Sequence, residues 1–192
     1  MKYQRLVTVV TTDPDYCFAG RIEDADGCEL KCTDGRPVAH EYPRDPFSVK
    51  VNLDRDFRGV KLPSLIGNTR SLLMLHREVV DLFEKELDLG EHERLPFSLV
   101  NHKGRTHSKD YVFLNPLGAV DIAAASSDFL RYPSGGIYGC KAWVLVAAKL
   151  KGLPDIVRPN EVPTHYMVSE RLLALVAKHE LTNFEVTPVT LV

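Results

Sequence analysis

The strongest constraint on the fold is an internal repeat: slid against itself by about ninety residues, the chain presents one order of elements twice. Val49-Lys50-Val51-Asn52-Leu53 alternates as a half-buried strand does, and residues 142–148 form a continuous apolar run suited to a buried strand. Each is followed by a Leu-Pro pair, in Leu62-Pro63-Ser64-Leu65-Ile66 and in Leu153-Pro154-Asp155-Ile156-Val157. Beyond a polar interval containing Asn68 or Asn160, Leu72-Leu73-Met74-Leu75 and His165-Tyr166-Met167-Val168 read as strands running into helices. Leu75, Val79, Leu82 and Phe83 keep helical spacing in the first helix, as do Leu172, Leu175, Val176 and His179 in the second. Ser169 is placed to cap the second helix, and Glu170 puts a negative charge in its first turn, where the peptide dipoles favour one. Pro-containing strands at residues 95–100 and 184–189 close the two units.

This order predicts an α+β protein in which two related strand-strand-helix-strand units, residues 48–101 and 142–192, pack around a shared core within a domain spanning 48–192. Residues 1–47 predict a small β-rich N-terminal lobe. Residues 6–11 are β-branched, residues 16–22 alternate, and Asp26-Gly27 is a turn dipeptide that makes residues 22–32 a hairpin. Cys28 and Cys32 would then share one face of a strand. Asp24 and Asp26 resemble part of a calcium loop, but the glycine comes too early and no Glu closes it. Between the units lie a polar loop at residues 101–110, a strand at 111–115, a helical patch at 122–126 and a turn at Gly135-Gly136.

A chain of 192 residues suits one soluble domain, with its 24 Lys and Arg nearly balanced by 26 Asp and Glu. A net charge of -2 gives no general drive onto nucleic acid or anionic lipid. The longest apolar stretch is far shorter than a bilayer requires, and residues 1–12 lack a signal-peptide core, so a cytoplasmic location away from membranes is expected. The 4 cysteines are too few for a dense disulfide framework and read as structural thiols; a zinc site at Cys28 and Cys32 would need a second pair, and His40 stands alone.

Histidines at 40, 76, 92, 102, 107, 165 and 179 show no zincin spacing, and His102 and His107 flank Gly104 in a basic turn that reads as solvent-facing. Ser134 lacks the G-x-S-x-G context of a nucleophile elbow, residues 135–139 lack the Lys-Ser/Thr of a phosphate loop, and Cys140 reads as packed. No catalytic residue, cofactor or metal is therefore expected. The basic run at residues 102–109 has no interleaved aromatics and reads as a solvated hairpin loop. The acidic run Glu78, Asp81, Glu84, Glu86, Asp88, Glu91, Glu93 is relieved only by Arg77, Lys85 and Arg94. On a helix it presents a negative face, which makes Asp81, Glu84 and Asp88 candidates for steering a basic protein partner.

From about Val60 onward the chain resembles a bacterial family of immunity proteins from polymorphic toxin systems, formerly a domain of unknown function and typified by a myxobacterial member. The resemblance rests on Tyr111-Val112-Phe113-Leu114-Asn115-Pro116-Leu117 with Val120-Asp121, on Leu153-Pro154-Asp155-Ile156-Val157, and on Val168-Ser169-Glu170-Arg171-Leu172. The closing segment Phe184-Glu185-Val186-Thr187-Pro188-Val189 is its most specific part. Leu75-His76-Arg77-Glu78 departs from the pattern where the second unit has Val168-Ser169-Glu170-Arg171. The resemblance implies a non-catalytic protein that binds and neutralises a cognate toxin, through surface residues other than the motifs themselves. The alternatives are a small hydrolase or metal enzyme using Cys140 or the histidines, and a scaffold domain of a secretion system.

Overall fold

A computed structural model describes residues 2–192; Met1, the first residue of the N-terminal segment, lies outside them. The chain opens with β1 (Tyr3–Val7), β2 (Phe18–Glu23) and a short helix, α1 (Cys28–Thr33). Strands β3 (Lys50–Leu53), β4 (Leu65–Asn68) and β5 (Leu73–His76) follow, and β5 runs without a loop into α2 (Arg77–Glu86). A long hairpin comes next, β6 (His92–Val100) and β7 (Thr106–Pro116). The protein is mixed α+β, with three α-helices among the described residues.

Strands β2 to β7 close into a barrel in the order β2-β3-β6-β7-β5-β4. Closure satisfies the backbone groups that an open sheet would leave at its edges. Alternation along the strands sorts their side chains into two cores. Val51, Ile66, Met74, Phe97, Tyr111 and Phe113 turn inward to fill the barrel. Leu73, Leu75, Val112 and Leu114 turn outward, onto Val79, Val80 and Phe83 of α2. Segment 8–10 crosses β4 so closely that a Cβ on Gly67 would lie 1.8 Å from the Val10 carbonyl oxygen, so this position requires glycine.

The rest of the chain forms β8 (Asp128–Arg131), β9 (Ile137–Ala142), β10 (Val144–Leu145), β11 (Ile156–Val157), β12 (Tyr166–Ser169), α3 (Glu170–Lys178), β13 (Glu185–Thr187) and β14 (Thr190–Leu191). Ser169 caps α3, its Oγ accepting from the Leu172 N–H at 3.1 Å. A 4-stranded sheet has the order β11-β12-β1-β13, and α3 lays Leu172 and Leu175 on the same outer core that α2 covers. Within the barrel, the run β4-β5-β7-β6 is antiparallel throughout, as is β11-β12-β1-β13. Leu75 faces Leu65 on one side and Val112 on the other; Val168 faces Ile156 and Gln4.

Arg158, 1% exposed, ties these parts together. Its Nη2 donates to the Cys32 carbonyl at 2.6 Å and its Nη1 to those of Thr33 at 2.9 Å and Pro163 at 2.7 Å. Its Nε donates to the Pro116 carbonyl at 3.1 Å, and the guanidinium stacks 4.3 Å from the centre of the Tyr166 ring.

Several expectations are corrected. Residues 1–47 do not form a separate lobe: β1 lies between β12 and β13, and β2 lies between β3 and β4. The hairpin expected over residues 22–32 is instead a turn leading into α1. Asp24, Asp26 and Gly27 all take positive φ (61°, 50° and 79°), and Cys28 and Cys32, four apart, share a buried helical face rather than a strand face. The helical patch expected at 122–126 is extended, because the Ala124 N–H donates to the Val144 carbonyl at 2.7 Å and the Ile122 carbonyl accepts from Val146 N–H at 2.9 Å. The single strand expected at 142–148 is divided: β9 ends at Ala142, β10 pairs with β14, and Ala147–Leu150 is a 3-10 turn. Among the described residues no helix is long and apolar enough to cross a membrane.

Candidate partner-binding surface

The acidic face of α2 packs beside β6, and the two elements exchange charge. Arg94 reaches Asp81 at 2.6 Å and Glu84 at 3.1 Å, and His92 Nε2 lies 3.0 Å from the second carboxylate. Asp88 is drawn into the turn after α2, its Oδ1 accepting from the Gly90 N–H at 2.9 Å while its own N–H donates to Asp155 at 2.9 Å. Of the three candidate residues, Asp81 and Glu84 therefore share one arginine, and Asp88 serves the backbone. Glu78 projects into solvent, 89% exposed along its side chain.

Cys140 and several of the histidines are engaged in internal contacts. Cys140 is buried, which raises its pKa, and its Sγ donates to the Ala142 carbonyl at 3.3 Å. The thiols of Cys17 and Cys32 are pushed up to about 12 by burial. His165 is pushed down to about 4, first by burial and then by Arg5, and its Nδ1 accepts from the Trp143 indole at 3.2 Å. His76 and His179 line a cleft of about 380 Å³ between α2 and the loop after α3, but the Tyr111 hydroxyl beside them is held by the Pro63 carbonyl at 2.6 Å. No group of three or more potential metal ligands forms among the described residues. His102 is exposed and His107 partly so, and both also bond backbone carbonyls across the barrel mouth.

The surface that sequence reasoning missed is the β8–β9 ribbon, whose strands pair only with each other. At its base the Phe129 ring meets Trp143 edge-on at 5.7 Å, and Cys140 is buried. The tip, Tyr132-Pro133-Ser134-Gly135-Gly136, is closed by bonds between Tyr132 and Gly136 and between Gly135 and Tyr132, both 2.8 Å, with Gly135 at φ 91°. Arg131 braces it, donating to the Gly135 carbonyl at 3.0 Å. Tyr132 and Tyr138 stand in solvent, 56% and 49% exposed, with ring centres 4.7 Å apart. The signal was present as Gly135-Gly136 between short stretches of alternating side chains, although only its turn was recognisable. Compared with known protein-family models and with curated proteins, the chain matches none.

Proposed function

We propose that this chain is an immunity protein that binds and neutralises a cognate protein toxin of a bacterial polymorphic toxin or secretion system, without catalysis, and that it grips the toxin with the β8–β9 ribbon. The observation that carries this reading is the paired exposure of Tyr132 and Tyr138 on a braced arm. Tyrosine supplies a large, rigid contact area with a polar tip at little entropic cost, and Ser-Gly tips adapt to a partner's shape. Asp81 and Glu84, already answered by Arg94, contribute long-range steering rather than contact energy.

We infer further that residues 48–101 and 142–192 are related units, with β1 holding beside the second the place that β7 holds beside the first. Supporting this are the matching strand orders and registers, and reciprocal bonds between the units. Ser64 and Thr182 exchange bonds of 2.9 and 3.0 Å, while Asp155 and Asp88 exchange bonds of 2.6 and 2.9 Å. Each Leu-Pro segment is thus pinned by the loop that follows the other unit's helix.

The test is to express the polymorphic toxin encoded beside this gene in a naive host, with and without this chain, and to isolate the complex. Rescue with a stable complex is expected, and the double variant Tyr132→Ala/Tyr138→Ala should weaken it about a hundredfold. Failure of the wild-type chain to rescue would overturn the immunity reading; rescue and affinity unchanged in the double variant would remove the ribbon from it.

A further inference from the structure

At one end of the barrel the loop after β3 meets the turn between β6 and β7. The turn holds that loop through its histidines: His102 Nε2 lies 3.0 Å from the carbonyl oxygens of both Asp54 and Phe57, and His107 Nε2 lies 2.8 Å from that of Val60. With carbonyls as the acceptors, each Nε2 carries the proton. The clamp joins two stretches that are separate in sequence, bringing Arg55 and Arg58 to His102, whose turn also carries Lys103 and Arg105. All four are exposed, and none has a carboxylate within ion-pair distance among the described residues.

Two cavities of about 500 and 400 Å³ open here, and both are lined by Arg55 and His102. The nearby carboxylates offset this charge only in part, since Asp54 and Asp56 set two negative charges against the four cations. Glu23 is paired with Arg21 at 3.5 Å, Asp54 Oδ1 accepts from the Asp56 N–H at 2.9 Å, and Asp56 is exposed on the same loop. Phe57 stacks on Phe18 with ring centres 4.2 Å apart and remains 36% exposed. The basic run at 102–109 lacks aromatics along the sequence; the fold supplies one from the other loop.

We propose that this mouth is a binding site for phosphate groups of the kind carried by a nucleotide or a single-stranded oligonucleotide, held by Arg55 and Arg58, with Lys103 and Arg105 on the adjoining turn adding positive charge and Phe57, between the two arginines in sequence, as a stacking platform. Guanidinium forks match phosphate geometry, cavities of this size accept a nucleotide, and an exposed aromatic beside clustered cations is how single strands are gripped without base-specific contacts. The overall charge of -2 is no obstacle, because screening confines the interaction to the local cluster.

The test uses the full chain at low salt with three probes: inorganic pyrophosphate, a nucleoside diphosphate, and a labelled single-stranded oligonucleotide of about ten nucleotides. Binding that weakens with added salt is expected, and Arg55→Glu/Arg58→Glu should lower it about tenfold or more while the circular dichroism spectrum is unchanged. Phe57→Ala should weaken the oligonucleotide and the nucleotide but not pyrophosphate. Binding of the nucleoside diphosphate alone would identify a small ligand, and a strong preference for the oligonucleotide a nucleic-acid strand; either supports the site. Absence of binding by all three probes, or binding indifferent to the charge reversal, would overturn it. So would failure of every phosphate probe alongside loss of a protein complex in the reversed variant, which would give the mouth to an acidic protein surface.

Discussion

Tyr111 and Tyr3 hold equivalent positions in two different sheets. Tyr111 pairs with His76 in β5 and sends its hydroxyl to the Pro63 carbonyl at 2.6 Å; Tyr3 pairs with Ser169 in β12 and sends its hydroxyl to the Pro154 carbonyl at 2.8 Å. Each bond fastens a Leu-Pro segment to the strand two places away. Burial raises the pKa of both phenols, so both remain donors across the physiological range. Tyr111→Phe and Tyr3→Phe keep the ring and remove the donor, and each should cost about 1 kcal/mol in denaturant-unfolding measurements. A Tyr111→Phe variant as stable as the wild type would show that the bond adds nothing.

Arg158 is a buried cation satisfied mainly by carbonyls that converge from α1, β7 and the segment before β12. Arg158→Met fills much of the volume but strands those oxygens without a donor, and should cost about 3–5 kcal/mol. Arg158→Lys should recover little, since one ammonium cannot reproduce the planar fork. Thermal unfolding of the two variants beside the wild type would decide the matter; full recovery by lysine would be contrary to this account.

His165 gives stability a pH dependence. Its folded pKa of about 4 lies below the ordinary histidine value of 6.5, so between these values the unfolded chain binds the extra proton and folding is opposed. The contribution is fully present above about pH 6.5 and is lost as pH falls toward 4. Allowing for the ring's partial exposure, this is a loss of roughly 2 kcal/mol. His165→Gln keeps an acceptor for the Trp143 indole and cannot titrate. Its stability should therefore fall less than the wild type's between pH 7 and pH 5, and parallel pH profiles would count against His165.

Gly67→Ala should be among the most damaging single changes in the barrel. The added methyl would meet the Val10 carbonyl oxygen at 1.8 Å and the Phe18 ring at 2.9 Å, the first a backbone atom and the second a fully packed core side chain. A loss of about 3 kcal/mol or more, or insoluble expression, is expected. Gly136→Ala, whose nearest neighbour is the Tyr132 ring at 3.7 Å, serves as the control and should fold normally.

Local patterns were legible wherever one face of an element meets a core. The 3.6-residue spacing of Val79, Leu82 and Phe83 located α2, and Ser169 followed by Leu172 located the start of α3. The segment holding Cys28 and Cys32 misled because side chains four apart share a face in helix and strand alike. The left-handed turn through Asp24 and Asp26 that decides between them has no unique sequence mark. Barrel closure was illegible for a different reason. It depends on the parallel pairings of Phe18 with Gly67 and of Val51 with Leu99, contacts between distant segments that no local pattern encodes. The basic mouth failed to show in the same way, since Arg55 and His102 line one cavity only after the β6–β7 turn is laid across the β3–β4 loop.

The place of β1 between β12 and β13 has a consequence for the order of synthesis. Every strand of the barrel lies within residues 18–116, so the barrel can close while the ribosome is still making the chain. Strand β1, translated first, has no partner until residues 166–169 and 185–187 emerge, and until then both of its edges are bare. A ribosome that stalls between the barrel and β12 would therefore hold a half-built molecule with β1 still sticky, which makes that stretch of the message a costly place to pause.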